Sequence, residues 1–293
     1  MNVIGIGNLI VDYYFYDNKI YINGGGTIPN MLCNLSSMGI PTKIIGYYGN
    51  DKPGMIAKES IEKMGVDTSQ LQKENYKTKS FFISPNGTSS YCPQCGKKFK
   101  NYKTRNNIKN YINNDDIILI QDYTILEDIP NQICLDFGYY NKLIYENIRN
   151  IEKFIFKKYY IVNIKEEVLL FILKKLNITF EEFKKRINTY LLIITKGKNG
   201  ASILFNGNIY NYNSDVFEEI ETNGCGDMFF ATFISEVIKR NCINSTDIKE
   251  IYDLAQKNVF NVISNIGARN HIVKNKTIIK KDKCICEDFY TID

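Results

Sequence analysis

The chain has 293 residues, 44% of them apolar and 24% charged, with a net charge of +5 at pH 7, a balance that lets a globular protein bury a sizeable core. Its lysines are spread along the sequence beside Asn and Glu instead of gathering in a stripe, which argues against nucleic acid as a partner. No apolar stretch reaches the ~18 residues that cross a membrane and the N-terminus has no signal-peptide pattern, so the expectation is a cytoplasmic protein whose eight cysteines are thiols or metal ligands.

Short apolar runs alternate with helix-like segments along the chain. Strands are predicted over residues 3–7, 43–48, 116–120, 132–137, 159–163 and 191–195, and their continuous apolarity suits parallel strands covered on both faces. Helices are predicted over 28–38 and 54–64, closed by Gly39 and Gly65, then after Gly226 and over 248–265. This pattern predicts an α/β fold: one domain spanning 1–293, with a doubly wound, mostly parallel central sheet flanked by helices. Two stretches break the rhythm. Residues 13–22 and 80–91 read as hairpins turning at Asp17-Asn18 and Asn86-Gly87. With strands from about 13–22 and 80–96, they are expected to build a small β-sheet lid beside the carboxyl edge of the main sheet. Residues 97–114 read as a polar connector.

The segment with most chemical content is Glu221-Thr222-Asn223-Gly224-Cys225-Gly226-Asp227, followed at once by an amphipathic helix. The glycines allow a tight turn and close approach of a ligand. The first N–H groups of the helix lack helical acceptors and would meet an anion together with the helix dipole. Asp227 suits any first helical turn, yet a carboxylate there could also accept the proton of an attacking hydroxyl.

This segment resembles the second signature of the ribokinase-like (PfkB) carbohydrate kinases, Asp-Thr-x-Gly-Ala-Gly-Asp, with Glu221 and Cys225 in place of the first Asp and the Ala. The resemblance implies Asp227 as catalytic base and Gly224, Cys225 and Gly226 as anion hole. Other motifs fall in the family's order. Gly25, Gly26 and Asn30 match a Gly-Gly-x-x-x-Asn motif that binds acceptor hydroxyls, with Asp12 as the upstream carboxylate. Residues 46–54 and 65–67 resemble the first signature and read as structural. Asn163 and Glu166 match Asn-x-x-Glu, which implies phosphate placement by the Asn and Mg2+ oriented by the Glu, mostly through water. Thr195, Gly197 and Gly200 match a nucleotide-binding Thr-x-Gly-x-x-Gly turn. Gly267-Ala268 follows a helix as on the family's adenine side, whereas Asn258 is displaced from the family's Asn.

The resemblance thus implies ATP, Mg2+, a sugar-like small-molecule substrate and transfer of a phosphoryl group to a hydroxyl. A nucleoside kinase would share these motifs and should stack its base on aromatics such as Phe15 or Phe82. A non-catalytic sugar or nucleotide sensor would keep the same fold. Asp136-Phe137-Gly138 and the short spacing from Asp12 to the glycines are similar to the fructoselysine-kinase branch. Lys97, Lys98, Lys100, Lys103 and Arg105 could face an acidic acceptor or simply form a solvated loop.

Cys92-Pro93-Gln94-Cys95-Gly96 lies outside the kinase pattern. It reads as half of a structural zinc site, to be completed by Cys284 and Cys286 of the same chain or of a second subunit across a lid-to-lid homodimer, or else as two free thiols. His271, the sole histidine, reads as an incidental surface residue.

Overall fold

The computed structural model describes residues 1–98, 108–121, 129–137, 152, 155–215, 221–287 and 290–292. Its larger sheet has nine strands. From one edge to the other they run β13 (Asn208–Tyr212), β12 (Ala201–Phe205), β11 (Asn188–Thr195), β10 (Lys158–Lys165), β9 (Gln132–Phe137), β8 (Ile117–Ile120), β1 (Val3–Ile6), β4 (Thr42–Gly49) and β5 (Asp67–Glu74). Pairing is parallel from β11 through to β5, and only β12 and β13 are antiparallel. The six predicted strands are all present. The three outer ones, β5, β12 and β13, were not foreseen.

The apolar runs are continuous because the two faces of each strand feed different cores. In β8, Ile117 and Leu119 join one cluster and Ile118 and Ile120 the other, as the two-residue period of a strand requires. Helices α1 (Thr27–Ser37), α2 (Lys52–Glu62), α5 (Cys225–Arg240) and α6 (Ser245–Ile263) supply the first cluster, while α3 (Glu166–Leu176) and α4 (Phe180–Arg186) supply the second. Asp51 caps α2 by accepting from Gly54 N at 2.9 Å, and it also takes Thr78 N at 2.7 Å. This is the structural use expected of the first-signature segment. Gly39 and Gly65 adopt the positive φ of helix-ending glycines, 83° and 76°.

The second sheet orders its six strands β15 (Tyr290–Ile292), β14 (Lys276–Lys281), β3 (Lys19–Gly25), β2 (Ile10–Tyr16), β6 (Ser80–Ser84) and β7 (Gly87–Ser89). The β2–β3 hairpin turns at Asp17 and Asn18, both at positive φ (50° and 58°), the backbone that a two-residue hairpin favours. Sequence reading missed one contribution to this sheet. The C-terminal hairpin β14–β15 extends it by pairing Lys276 with Ile22 and Thr277 with Tyr21. A third core cluster joins the lid residues Val11, Tyr13, Ile22, Phe82, Ile285 and Tyr290 to Ile56 of α2.

Candidate active site

Three glycines set the first wall of the site. A Cβ on Gly24 would lie 2.4 Å from Arg269 Nη1, and one on Gly25 only 2.2 Å from the Asp12 carboxylate. Their missing side chains let both charged groups rest against the backbone. Gly26, at φ 96°, then turns the chain into α1. Asn30, in the first turn of that helix, donates Nδ2 to Asp227 Oδ2 at 2.7 Å and accepts from Arg269 Nε at 2.7 Å.

Asp227 comes from the opposite direction. Gly224 (φ 86°) caps α5, and a Cβ there would sit 2.5 Å from Ala268 Cβ, so the turn fits only glycine. Glu221 braces this loop by accepting from Asn223 N at 2.6 Å and Gly267 N at 3.2 Å. Three residues further, Asp227 projects from the first turn. Burial pushes its carboxyl up to about 7; the Asn30 hydrogen bond and Arg269 work against that shift, and the charges of Asp136 and Asp12 add to it. Asp227 keeps some exposure to solvent.

Asp12, only 3% exposed, lies on β2. Tyr14 OH donates to its Oδ2 at 3.2 Å, Asn223 Nδ2 approaches the same oxygen at 3.4 Å, and Ala268 N donates to Tyr14 OH at 3.2 Å. Burial lifts Asp12 to about 6, opposed chiefly by Arg269. Burial and Asp12 together push Tyr14 well above the usual phenol range. Strand alternation puts Asp12 and Tyr14 on the site face of β2 and Tyr13 and Phe15 on the other. Phe82 stacks on Tyr13 at 5.3 Å and 8°, and Phe15 packs beside it. Phe15 and Phe82 therefore belong to the lid core, and the expectation that they would stack a nucleobase is corrected.

The remaining motif residues stand at carboxyl ends of parallel strands. Asn163, in β10, donates Nδ2 to Asp136 Oδ1 of β9 at 2.6 Å, while its buried Oδ1 has no partner among the described residues. Glu166 opens α3, and Lys196 Nζ stands 3.9 Å from its carboxylate. Thr195 ends β11, and the turn through Gly197 to Gly200 closes with Lys196 N donating to Gly200 O at 2.8 Å. Asn258 donates to Thr232 Oγ1 at 3.1 Å. Gly138, Lys100, Lys103 and Arg105 lie outside the described residues.

Sequence reasoning missed Arg269. Its guanidinium is 1% exposed and bonds Asn30, Ser60 Oγ (2.8 Å) and Gly25 O (2.9 Å). A charged residue directly after the small pair Gly267-Ala268 was the available signal. Asp136, a lone acid in the apolar strand Ile133–Phe137, was noticed only for its branch resemblance. His271 is corrected too: it is half-buried, its ring nitrogens have no partner among the described residues, and burial lowers it to about 4. It lines a cavity of about 560 Å3 with Met38, Met228 and Asn258, which none of the phosphate-motif glycines touch. Cys92 and Cys95 follow β7 in the lid, and Cys284 and Cys286 of the same chain stand beside them, so no second subunit is needed to assemble the four.

Comparison of the sequence with protein-family models gives no match, and none is found among curated proteins. Solved structures do match. An uncharacterised sugar kinase from Pyrococcus horikoshii, in complex with ATP, aligns at a TM-score of 0.68 and 20% identity over 93% of this chain and 95% of that one. A nucleoside kinase from Methanocaldococcus jannaschii, an archaeal member of the ribokinase family, gives 0.70 and 15% over 92% and 94%. The aminoimidazole riboside kinase of Salmonella enterica, complexed with aminoimidazole riboside and an ATP analogue, gives 0.70 and 15% over 91% and 95%. The chain therefore has the ribokinase fold. Its structural neighbours are sugar and nucleoside kinases of that family.

Proposed function

We propose that the protein is an ATP-dependent phosphotransferase whose acceptor is a hydroxyl of a sugar or sugar derivative, nucleosides included. The observation carrying this reading is Asp227. A carboxylate lifted to about 7 stands on the first turn of a helix capped by Gly224, held by Asn30 and close to a second buried acid, Asp12. A carboxyl that titrates near neutrality is suited to take a proton from an alcohol.

In this reading Asp12 and Asn30 hold the acceptor through its hydroxyls, Asp12 by accepting two hydrogen bonds. Asp227 takes the proton as the hydroxyl oxygen bonds to the γ-phosphorus and the bond from that phosphorus to ADP breaks. The N–H groups at the start of α5 face the charge that builds on the transferring group. The residues present fit a phosphate: a Cβ on Gly226 would meet nothing within 4 Å, so the helix start is open. Thr195, Gly197 and Gly200 would flank the nucleotide. Glu166 would hold Mg2+ through water, the ion supplying charge neutralisation on the phosphates, and Asn163 would help to place those phosphates. The rest of the reading is a single domain over 1–293, located in the cytoplasm, that dimerises through the lid. The exposed edge strand β7 is the kind of surface that pairs with a second copy.

The test is ADP release from Mg-ATP against sugars, amino-sugar adducts, sugar phosphates and nucleosides, with Asp227→Asn as control. A hit abolished by the substitution supports the reading and names the acceptor class. Full turnover in the variant would overturn it.

A further inference from the structure

Four sulfurs converge at the edge of the lid. Cys92 and Cys95 occupy the turn after β7, and Cys284 and Cys286 lie between β14 and β15. Their Sγ atoms all lie within 4.8 Å of one another, with 3.4 Å between Cys92 and Cys284, 3.2 Å between Cys95 and Cys286 and 3.3 Å between Cys284 and Cys286. A disulfide holds its sulfurs near ~2.05 Å. A Zn–S bond of ~2.3 Å places tetrahedral sulfurs about 3.8 Å apart; the three shortest contacts lie somewhat inside that value and none of the six separations exceeds 4.8 Å. We propose that these cysteines bind one zinc ion as a closed tetrathiolate, a structural site independent of the phosphotransfer reading.

The surrounding backbone is shaped for it. Cys92 N donates to Lys97 O at 2.8 Å and Gly96 N to Cys92 O at 2.9 Å, with Gly96 at φ 68°, so residues 92–97 form a tight knuckle presenting both thiols to one side. Gln94 Oε1 accepts from Ile285 N at 2.9 Å, which docks the second pair onto the knuckle. The short contacts to Cys92 and Cys95 run across to the other segment, as a shared ligand requires and as a redox Cys-x-x-Cys does not. Binding exchanges four thiol protons for one Zn2+ and leaves a net charge of −2. Lys97, Lys98, Lys281 and Lys283 flank the two pairs, and Lys97 also bridges to Glu287 at 3.0 Å. Four protein ligands leave no open position, so the ion is structural.

Its work is to fasten the C-terminal hairpin to the rest of the lid. The small core there includes Cys92 and Cys286 themselves beside Ile285 and Tyr290, so an ion held by all four thiols would tie the hairpin to that core.

The test is elemental analysis of full-length protein purified without chelator, with mercurial titration of the thiols. One zinc per chain, released as four thiols react, is the expected result, together with the visible bands of tetrahedral cobalt thiolate after exchange with Co2+. Cys284→Ser/Cys286→Ser should lose the metal and become many-fold more sensitive to protease within residues 276–292. If that variant does not fold, cobalt exchange in the unaltered protein still decides. Zinc-free protein with four free thiols, two disulfides in place of the thiols, or iron in place of zinc would each overturn the proposal, whatever the kinase assay gives.

Discussion

The side-chain amide of Asn30 donates to the carboxylate of Asp227 at 2.7 Å, joining the start of α1 to the start of α5. That bond opposes the burial that raises Asp227. Asn30→Ala should therefore move the acidic limb of the rate profile to higher pH. It should also lower kcat/KM roughly 10–100-fold, the weight of one charge-assisted hydrogen bond. Both are read from a pH–rate profile, and an unmoved limb would show that Asn30 does not tune the base.

For the intact protein, kcat/KM should fall about tenfold per unit as pH drops below about 7, and more steeply below about 6, where Asp12 also protonates. Stability should move the other way. The folded-state pKa of Asp227 lies above its ordinary 3.8, so between about 4 and 7 the native state binds a proton that the unfolded chain does not. Its contribution then improves as pH falls through about 7. At pH 8 Asp227→Asn should melt at least about 2 °C above the parent. A lower melting point would mean that the charge is better accommodated than burial implies.

Arg269→Leu removes one guanidinium from three acceptors: Asn30 Oδ1, Ser60 Oγ and Gly25 O. Leaving buried polar partners unmet should cost about 3–5 kcal/mol. Arg269→Lys should recover little of this, because an ammonium cannot span the same fork. Denaturant melts of both variants measure it; near-parental stability in the Lys variant would show that charge alone suffices.

Gly25→Ala and Gly226→Ala separate the proposed acceptor wall from the proposed phosphate end. A Cβ on Gly25 meets the Asp12 carboxylate at 2.2 Å, whereas one on Gly226 meets no atom within 4 Å. The first should raise the acceptor KM while ATP binding persists. The second should fold normally and lose about 100-fold in kcat by filling the space kept for the transferring group. Parental kcat in Gly226→Ala would argue that no phosphate lies there.

The six strands from β11 to β4 were legible because each is apolar on both faces, a pattern that survives without knowledge of neighbours; β12, as apolar over Ala201–Phe205, was nonetheless missed. β5 was not legible, since Asp67–Glu74 is an edge strand with mostly polar residues. Nor was β14: Lys276–Lys281 alternates weakly and owes its place to pairing with β3, some 250 positions away, which only the folded chain reveals. Within the site, Asp227, Asp12 and Asn30 were readable from motif order. Arg269 was not, because its partners come from three separate segments. Half of the cysteine cluster stood out through its two-residue spacing; Cys284 and Cys286 were readable as its complement, and only the fold shows that they come from the same chain.

The lid draws its strands from residues 10–25, 80–89, 276–281 and 290–292, so its assembly has a timetable. Between the end of β3 at Gly25 and the start of β14 at Lys276, a ribosome adding ~5–20 residues per second spends on the order of 10–50 s. Throughout that interval β3 offers an unpaired backbone edge that any other nascent strand could occupy. The smaller sheet is thus finished last, after all nine strands of the larger sheet have been synthesised.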